Sequence, residues 1–253
     1  PTALAGVLGD DPIADAARRA LRAEGTELLF PEPRAGSSGV CLVLVDAGGE
    51  RTMVTVQGIE SRVQGEDFDA VALSTGDVVY LNGYELLYPH VTGLIDWLLR
   101  VRPGHLVFDP GPLVGEIDPE SLGTVLGMTR WLSLNAAEAA ALTGVDDPVS
   151  AANALLGRID RGGVVVRAGA DGCLVAGQGS DPRAVPAFLA EVVDTTGAGD
   201  THVGAFIAAL ARGLDPIEAC RWANAAAAHV VASRGQVSPP RLEELRAMLD
   251  ATP

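Results

Sequence analysis

Asp194-Thr195-Thr196-Gly197-Ala198-Gly199-Asp200 is the segment of this 253-residue chain whose residue types and spacing can do chemistry. Glycines at 197 and 199 allow a backbone in which successive N–H groups point into one concavity. Helix-patterned sequence from Thr201 to Leu210 adds the positive end of a helix dipole. A concavity of that kind holds an anion, phosphate above all. Asp200 stands at its rim, where a carboxylate repels phosphate. Its use there is to accept a proton from a hydroxyl while Gly197, Ala198 and Gly199 stabilise the charge on a transferring phosphoryl group. The same residues also read as a tight turn followed by an Asp helix N-cap. A second pair is Asn135 and Glu138 in Asn135-Ala136-Ala137-Glu138. One helical turn apart, they face the same way and can hold a hydrated Mg²⁺ near phosphates, because that ion takes few carboxylates and keeps several waters. Asn135 as N-cap with Glu138 three residues on is equally a capping box.

Such residues need elements to position them. Val78–Asn82, Leu106–Asp109, Trp131–Asn135 and Val164–Ala168 are short apolar runs bounded by turn residues. Helix-period segments lie between them, at about 88–101, 119–128, 136–143 and 148–160, and the alternation predicts βαβ units on a parallel sheet covered on both faces. Residues 198–212, 215–232 and 240–250 read as three helices, with Gly213 and Gly235 at helix ends. Near the start, 11–24 is an amphipathic helix capped by Asp10 or Asp11, with Pro12 in its first turn. Val40–Val45 and Thr52–Gln57 form a hairpin around Ala47-Gly48-Gly49-Glu50. The chain reads as one domain over 1–253, with lid strands at about 38–58.

Asp194 to Asp200 resembles the C-terminal signature of the ribokinase-like (PfkB) carbohydrate kinases, with further motifs in the family's order along the chain. Asn135 and Glu138, followed by Leu142-Thr143-Gly144, resemble the family's Asn-x-x-Glu motif. Val164 to Cys173 resembles its strand–glycine loop–strand beside the nucleotide, with Gly169 and Gly172 in the loop. Arg167 stands where relatives often carry Thr or Lys, and reads either as a partner for phosphate or as a surface arginine. Asn224 opens Asn-Ala-Ala-Ala-Ala, which resembles the helix beside the adenine ring. Asn82, and Asp109 in Asp109-Pro110-Gly111-Pro112, match strand ends where the family contacts its sugar, a sensible place for a ligand in an α/β sheet. Asp194 and Thr196, with Ser233-Arg234-Gly235, match a monovalent-cation site.

The resemblance implies a three-layer αβα sandwich with a mostly parallel sheet and a small β lid. It implies an ATP-dependent sugar kinase with Asp200 as base, ATP and Mg²⁺ as cofactors, potassium as a further ion, and pairing of two chains through the lid. A nucleoside kinase of the same family, or a non-catalytic sugar- or nucleotide-binding regulator, are the other functions it allows. Relatives begin with a strand, further lid strands and a Gly-Gly-x-x-x-Asn segment. By that comparison about 40–50 residues stand before the region matched here, a length in keeping with a domain of ordinary size. That leaves the sugar side with Asn82 and Asp109.

Composition narrows the alternatives. All 18 basic residues are Arg, which removes Walker-A, Schiff-base and nucleophilic lysine mechanisms. A net charge of −15 argues against nucleic acid as a partner. No apolar run reaches a membrane span of roughly 18 residues. Cys41, Cys173 and Cys220 read as buried reduced thiols, and His90, His105, His202 and His229 show no metal-ligand spacing, with His202 and His229 lining helices. The chain reads as cytoplasmic.

Overall fold

The computed structural model describes residues 1–45, 51–88, 91–233 and 238–251, without the side chains of Val45 and Arg51. The hairpin turn at 47–50, His90, Arg234 and Gly235 lie outside the described residues. Two compact units emerge: residues 1–75 with 85–102, and residues 76–84 with 103–253.

In the first unit a short parallel pair, β1 (Thr2–Leu4) and β2 (Thr26–Leu28), flanks α1 (Pro12–Ala23). Asp11 is the residue that caps α1, accepting from the N–H groups of Ile13 and Ala14. Arg18 is buried and donates to the carbonyls of Leu8 and Gly9 at 3.1 and 2.7 Å, which spares those groups the cost of burial without a partner. Phe30, Phe68 and Trp97 stack in series, and Trp97 comes from α2 (Val91–Val101). The predicted hairpin forms, with β3 (Val40–Val45) antiparallel to β4 (Arg51–Val56). Its apolar side chains are exposed on both faces, among them Val40, Leu42, Val43, Met53, Val54 and Val56. Cys41 is exposed on β3, not buried as the sequence suggests, because this hairpin has no covered face on which to hide it.

The second unit is a six-stranded sheet in the order β10-β9-β8-β7-β6-β5. β5 (Val78–Asn82), β6 (His105–Asp109), β7 (Trp131–Asn135) and β8 (Gly163–Arg167) run parallel, each within a residue of its predicted bounds. β9 (Cys173–Gly177) and β10 (Arg183–Val185) close the sheet antiparallel. The β6–β8 strands are buried almost throughout, as parallel strands covered on both faces must be.

α3 (Pro119–Met128), α4 (Ala136–Thr143) and α5 (Pro148–Leu156) connect these strands, and α6 (Ala198–Leu210), α7 (Pro216–Val231) and α8 (Leu242–Ala251) follow them. On one face Val107, Trp131 and Val165 pack against Val203 and Phe206 of α6 and Ala219 and Ala223 of α7. Trp131 and Phe206 meet edge to face at 5.1 Å, a favoured aromatic geometry. α3, α5 and α7 begin at Asp-Pro pairs, in which Asp118, Asp147 and Asp215 accept from first-turn amides. α6 begins differently, and that difference belongs to the site.

Candidate active site

Each of the four parallel strands ends on a polar residue: Asn82, Asp109, Asn135 and Arg167. Register pairs Asn82 with Asp109 and Asn135 with Arg167. Side chains at paired positions share a face, and alternation carries the same face back through Val107, Trp131 and Val165. That is the face α6 covers. The strand ends therefore set a row of polar groups at the carboxyl edge of the sheet, on the side of α6.

Arg167 ties the row together. Its Nη1 donates to Asp109 Oδ2 and to Ser133 Oγ, both at 2.8 Å, and its Nη2 lies 3.6 Å from Glu138 Oε2. The side chains are 14 % exposed for Arg167 and 6 % for both Asp109 and Glu138, so this arginine is no surface group. Asp109 Oδ1 also accepts from the Gly111 N–H at 3.1 Å. Burial raises the Glu138 carboxyl above its usual range, opposed by the Asn135 N–H, while Asp109 adds to the rise and Arg167 offsets it.

Asn135 and Glu138 do form the capping box. Asn135 Oδ1 accepts from the Glu138 N–H at 2.9 Å, while Glu138 accepts from the Asn135 N–H at 2.8 Å and from its amide Nδ2 at 2.7 Å. Each Glu138 oxygen thus has one donor and keeps a further lone pair. Among the described residues no three His, Cys, Asp or Glu side chains cluster as direct ligands of an ion. This donor set fits Mg²⁺ held through its own waters, which is how that ion commonly sits.

At α6, Gly197 is the N-cap with φ +75°, a left-handed conformation that favours glycine, and no side chain caps the helix. Asp200 is the third helical residue, so it is not the cap that its position in the sequence also allows. The first-turn amides of a helix lack intrahelical partners; here that of Ala198 donates to the Thr195 carbonyl at 3.3 Å, and the Gly197 cap has no side chain to take another. A methyl built on Gly197 would meet nothing within 4 Å, and one on Gly199 would meet only the Arg167 guanidinium, at 3.7 Å. The glycine turn and the arginine are thus near neighbours. Asp200 is exposed beside them.

The remaining candidates are more dispersed. Gly169 (φ +59°) and Gly172 (φ +88°) shape the turn between β8 and β9. Gly172 must be glycine, since a Cβ there would overlap the Val185 carbonyl oxygen. Asn224 is buried, and its amide is spent on the carbonyls of Val185 and Pro186, both at 3.0 Å, and on His202 Nε2 at 3.1 Å. This amide fastens α7 to the end of β10. Asp194 Oδ1 accepts from the Thr196 N–H at 2.9 Å. Two neighbours of the cluster carry no motif. Ser133 shows only as a polar residue inside a buried strand, and Tyr80 shows only through its period-two relation to Asn82.

A mostly parallel sheet whose parallel strands end on polar residues, beside a helix that opens on a glycine turn, defines an α/β protein with its candidate site at the carboxyl edge of the sheet. The chain belongs to the pfkB family of carbohydrate kinases, whose sequence model matches residues 1–242, and it has the ribokinase-like fold. It is 32% identical over 251 residues to the uncharacterized sugar kinase YegV of Escherichia coli, covering 94% of this chain and 74% of that protein. The adenosine kinase of Sinorhizobium meliloti superposes with a TM-score of 0.83 at 27% identity, covering 99% of this chain and 77% of that one. A putative ribokinase II of E. coli, solved with ATP and Mg²⁺, gives a TM-score of 0.83 at 22% identity over 99% of this chain and 83% of that one.

Proposed function

We propose that this carbohydrate kinase transfers the γ-phosphoryl group of ATP to a sugar hydroxyl, with Asp200 as the general base. The observation that supports it most is the closeness of Arg167 to Gly199, where an added Cβ would stand 3.7 Å from the guanidinium. It sets the lysine-free chain's largely buried guanidinium near the first turn of α6, beside an exposed carboxylate. The turn of Gly197, Ala198 and Gly199 takes up charge on the transferring group through the Gly199 amide, Arg167 supplies a fixed positive charge, and Asp200 removes the hydroxyl proton. Asn135 and Glu138 order the water shell of Mg²⁺, which when bound neutralises phosphate charge. Asn82 and Asp109 form the acceptor end. Gly169 and Gly172 shape the nucleotide loop, and Asn224 keeps α7 placed beside it. Asp194 and Thr196 are where potassium would bind. The doubly apolar hairpin of β3 and β4 is where two chains would pair, which sedimentation at rising concentration reads.

The test is ADP release screened over pentoses, hexoses, sugar acids and nucleosides, with choline in place of potassium as a second arm. Acceptor-dependent release is expected. ATP binding with no release for any acceptor would make the chain a nucleotide-binding regulator instead. A nucleoside acceptor is favoured by one observation: the half-exposed rings of Tyr80 and Tyr84 beside Asn82 give a base something to stack on.

The two glycines of the turn should separate fold from chemistry. Gly197→Ala forces a side chain into a left-handed backbone and should cost about 1 kcal/mol of stability or more. Gly199→Ala meets only an ordinary contact, so its melting temperature should match the parent. The added methyl nevertheless stands between α6 and Arg167, and ATP affinity should fall about tenfold, the loss of roughly one charge-assisted hydrogen bond. Calorimetry reads the first effect and nucleotide titration the second. Unchanged ATP binding in Gly199→Ala would remove the anion-turn assignment.

A further inference from the structure

Tyr80 pairs in register with Val107, and Asn82 with Asp109, so Tyr80 stands on the sheet face that α6 covers, one pleat in from the strand end. The Asn82 side chain, which the sequence marks for sugar contact, is already engaged at both ends. Its Oδ1 accepts from the Tyr84 N–H at 3.0 Å, and its Nδ2 donates to the Tyr80 phenol oxygen at 3.3 Å. Asn82 is thus a bracket that holds the phenol.

A phenol oxygen that accepts one hydrogen bond still has its own proton to give. Asp109 has one donor on each oxygen already, Gly111 on one and Arg167 on the other. Tyr80 is 40 % exposed as a residue, and partial burial pushes the phenol up to about 12. The Asn82 hydrogen bond opposes that rise, the charges of Asp109 and then Asp200 add to it, and Arg167 opposes it. The phenol therefore lies within reach of the fields of both carboxylates and stays a donor at any working pH. Gly111, open at φ +68°, leaves room beside it: a Cβ there would meet only Asn82 and the Tyr84 ring, at 3.8 and 4.0 Å.

We propose that Tyr80 is a specificity-determining residue for the acceptor, its O–H donating to a sugar oxygen next to the hydroxyl that Asp200 deprotonates. The inference rests on the reading of Asp200 as base. It names the acceptor class as a polyol with oxygens on adjacent carbons, either a vicinal hydroxyl or the ring oxygen. An acceptor with no oxygen beside the reacting hydroxyl loses the bond.

The test compares the parent with Tyr80→Phe, which keeps the ring and removes one oxygen. With the best acceptor of the screen, KM should rise about three- to tenfold, with kcat and ATP affinity within about twofold. The deoxy analogue lacking the neighbouring oxygen should cost the parent a similar factor and cost Tyr80→Phe nothing more, the signature of a shared partner in a double-mutant cycle. Equal losses in Tyr80→Phe for the complete and deoxy acceptors would overturn the assignment and make Tyr80 a packing residue. Acceptor affinity measured by calorimetry without nucleotide gives a readout independent of turnover. If that affinity weakens in Tyr80→Phe while Asp200→Asn still turns over, Tyr80 keeps its role and Asp200 loses its own. If no polyol binds the parent, the Tyr80 assignment falls.

Discussion

Asp200→Asn should lower phosphoryl transfer about 10²–10⁴-fold, the usual effect of removing a general base, and leave ATP affinity within about threefold. The amide is nearly the same shape but cannot take a proton. Among the described residues the Asp200 carboxylate makes no hydrogen bond or ion pair, so little structure depends on it. Its favourable place in the first turn of α6 contributes about 0.3–1 kcal/mol, which the amide gives up in part. Single-turnover ADP formation and nucleotide titration separate the two effects. Transfer within about threefold of the parent would move the base to another residue.

Arg167→Met should be the most destabilising change in the second unit. It leaves Asp109 and Glu138, each with a side chain 6 % exposed, without their countercharge. Removing one partner of a buried pair typically costs about 3–5 kcal/mol, because the other charge remains buried. For a chain of this length each kcal/mol lowers the melting midpoint by about 2–4 °C, so a fall on the order of 6–20 °C is expected. Arg167→Lys keeps the charge but has no planar fork to reach Asp109, Ser133 and Glu138 together, and should recover only part of the loss. The double variant Arg167→Met with Asp109→Asn should be more stable than Arg167→Met alone, since the amide needs no cation. A melting shift in Arg167→Met below about 2 °C, worth roughly 1 kcal/mol or less, would mean that water already screens these carboxylates.

The parallel strands and most of the helices can be read from the sequence because their signals are local. Short apolar runs between turn residues mark β5 to β8, and Asp-Pro pairs mark the starts of α1, α3, α5 and α7. β10 is harder to see: a three-residue strand, Arg183–Val185, has too few residues for alternation to show. The expected helix over 148–160 stops at Leu156, with Gly157 at its end, where residues of poor helix propensity follow. In the site, the glycine turn and the Asn135–Glu138 box depend on residues a few positions apart. Sequence spacing reaches that far. The bonds from Arg167 to Asp109 and Ser133 span 58 and 34 residues, and only the register of the sheet brings those groups together. The Asn82–Tyr80 bond, by contrast, joins residues two apart on one face of a strand, a spacing that the sequence does show.

One polar residue at the end of each parallel strand also bears on how this site can change over time. The residues before it belong to the packed sheet, so a new preference for substrate can arise at strand tips without rebuilding the core. The four tips are not equally free to drift. Among the described residues the Asn82 side chain bonds to its near neighbours Tyr80 and Tyr84, and a substitution there disturbs one bracket. Asp109 and Arg167 neutralise each other across two strands with Glu138 as the arginine's second partner, so a change in either upsets the charge balance of three groups. Among relatives, then, the first position should vary singly, whereas the other two should be exchanged as a pair or kept together.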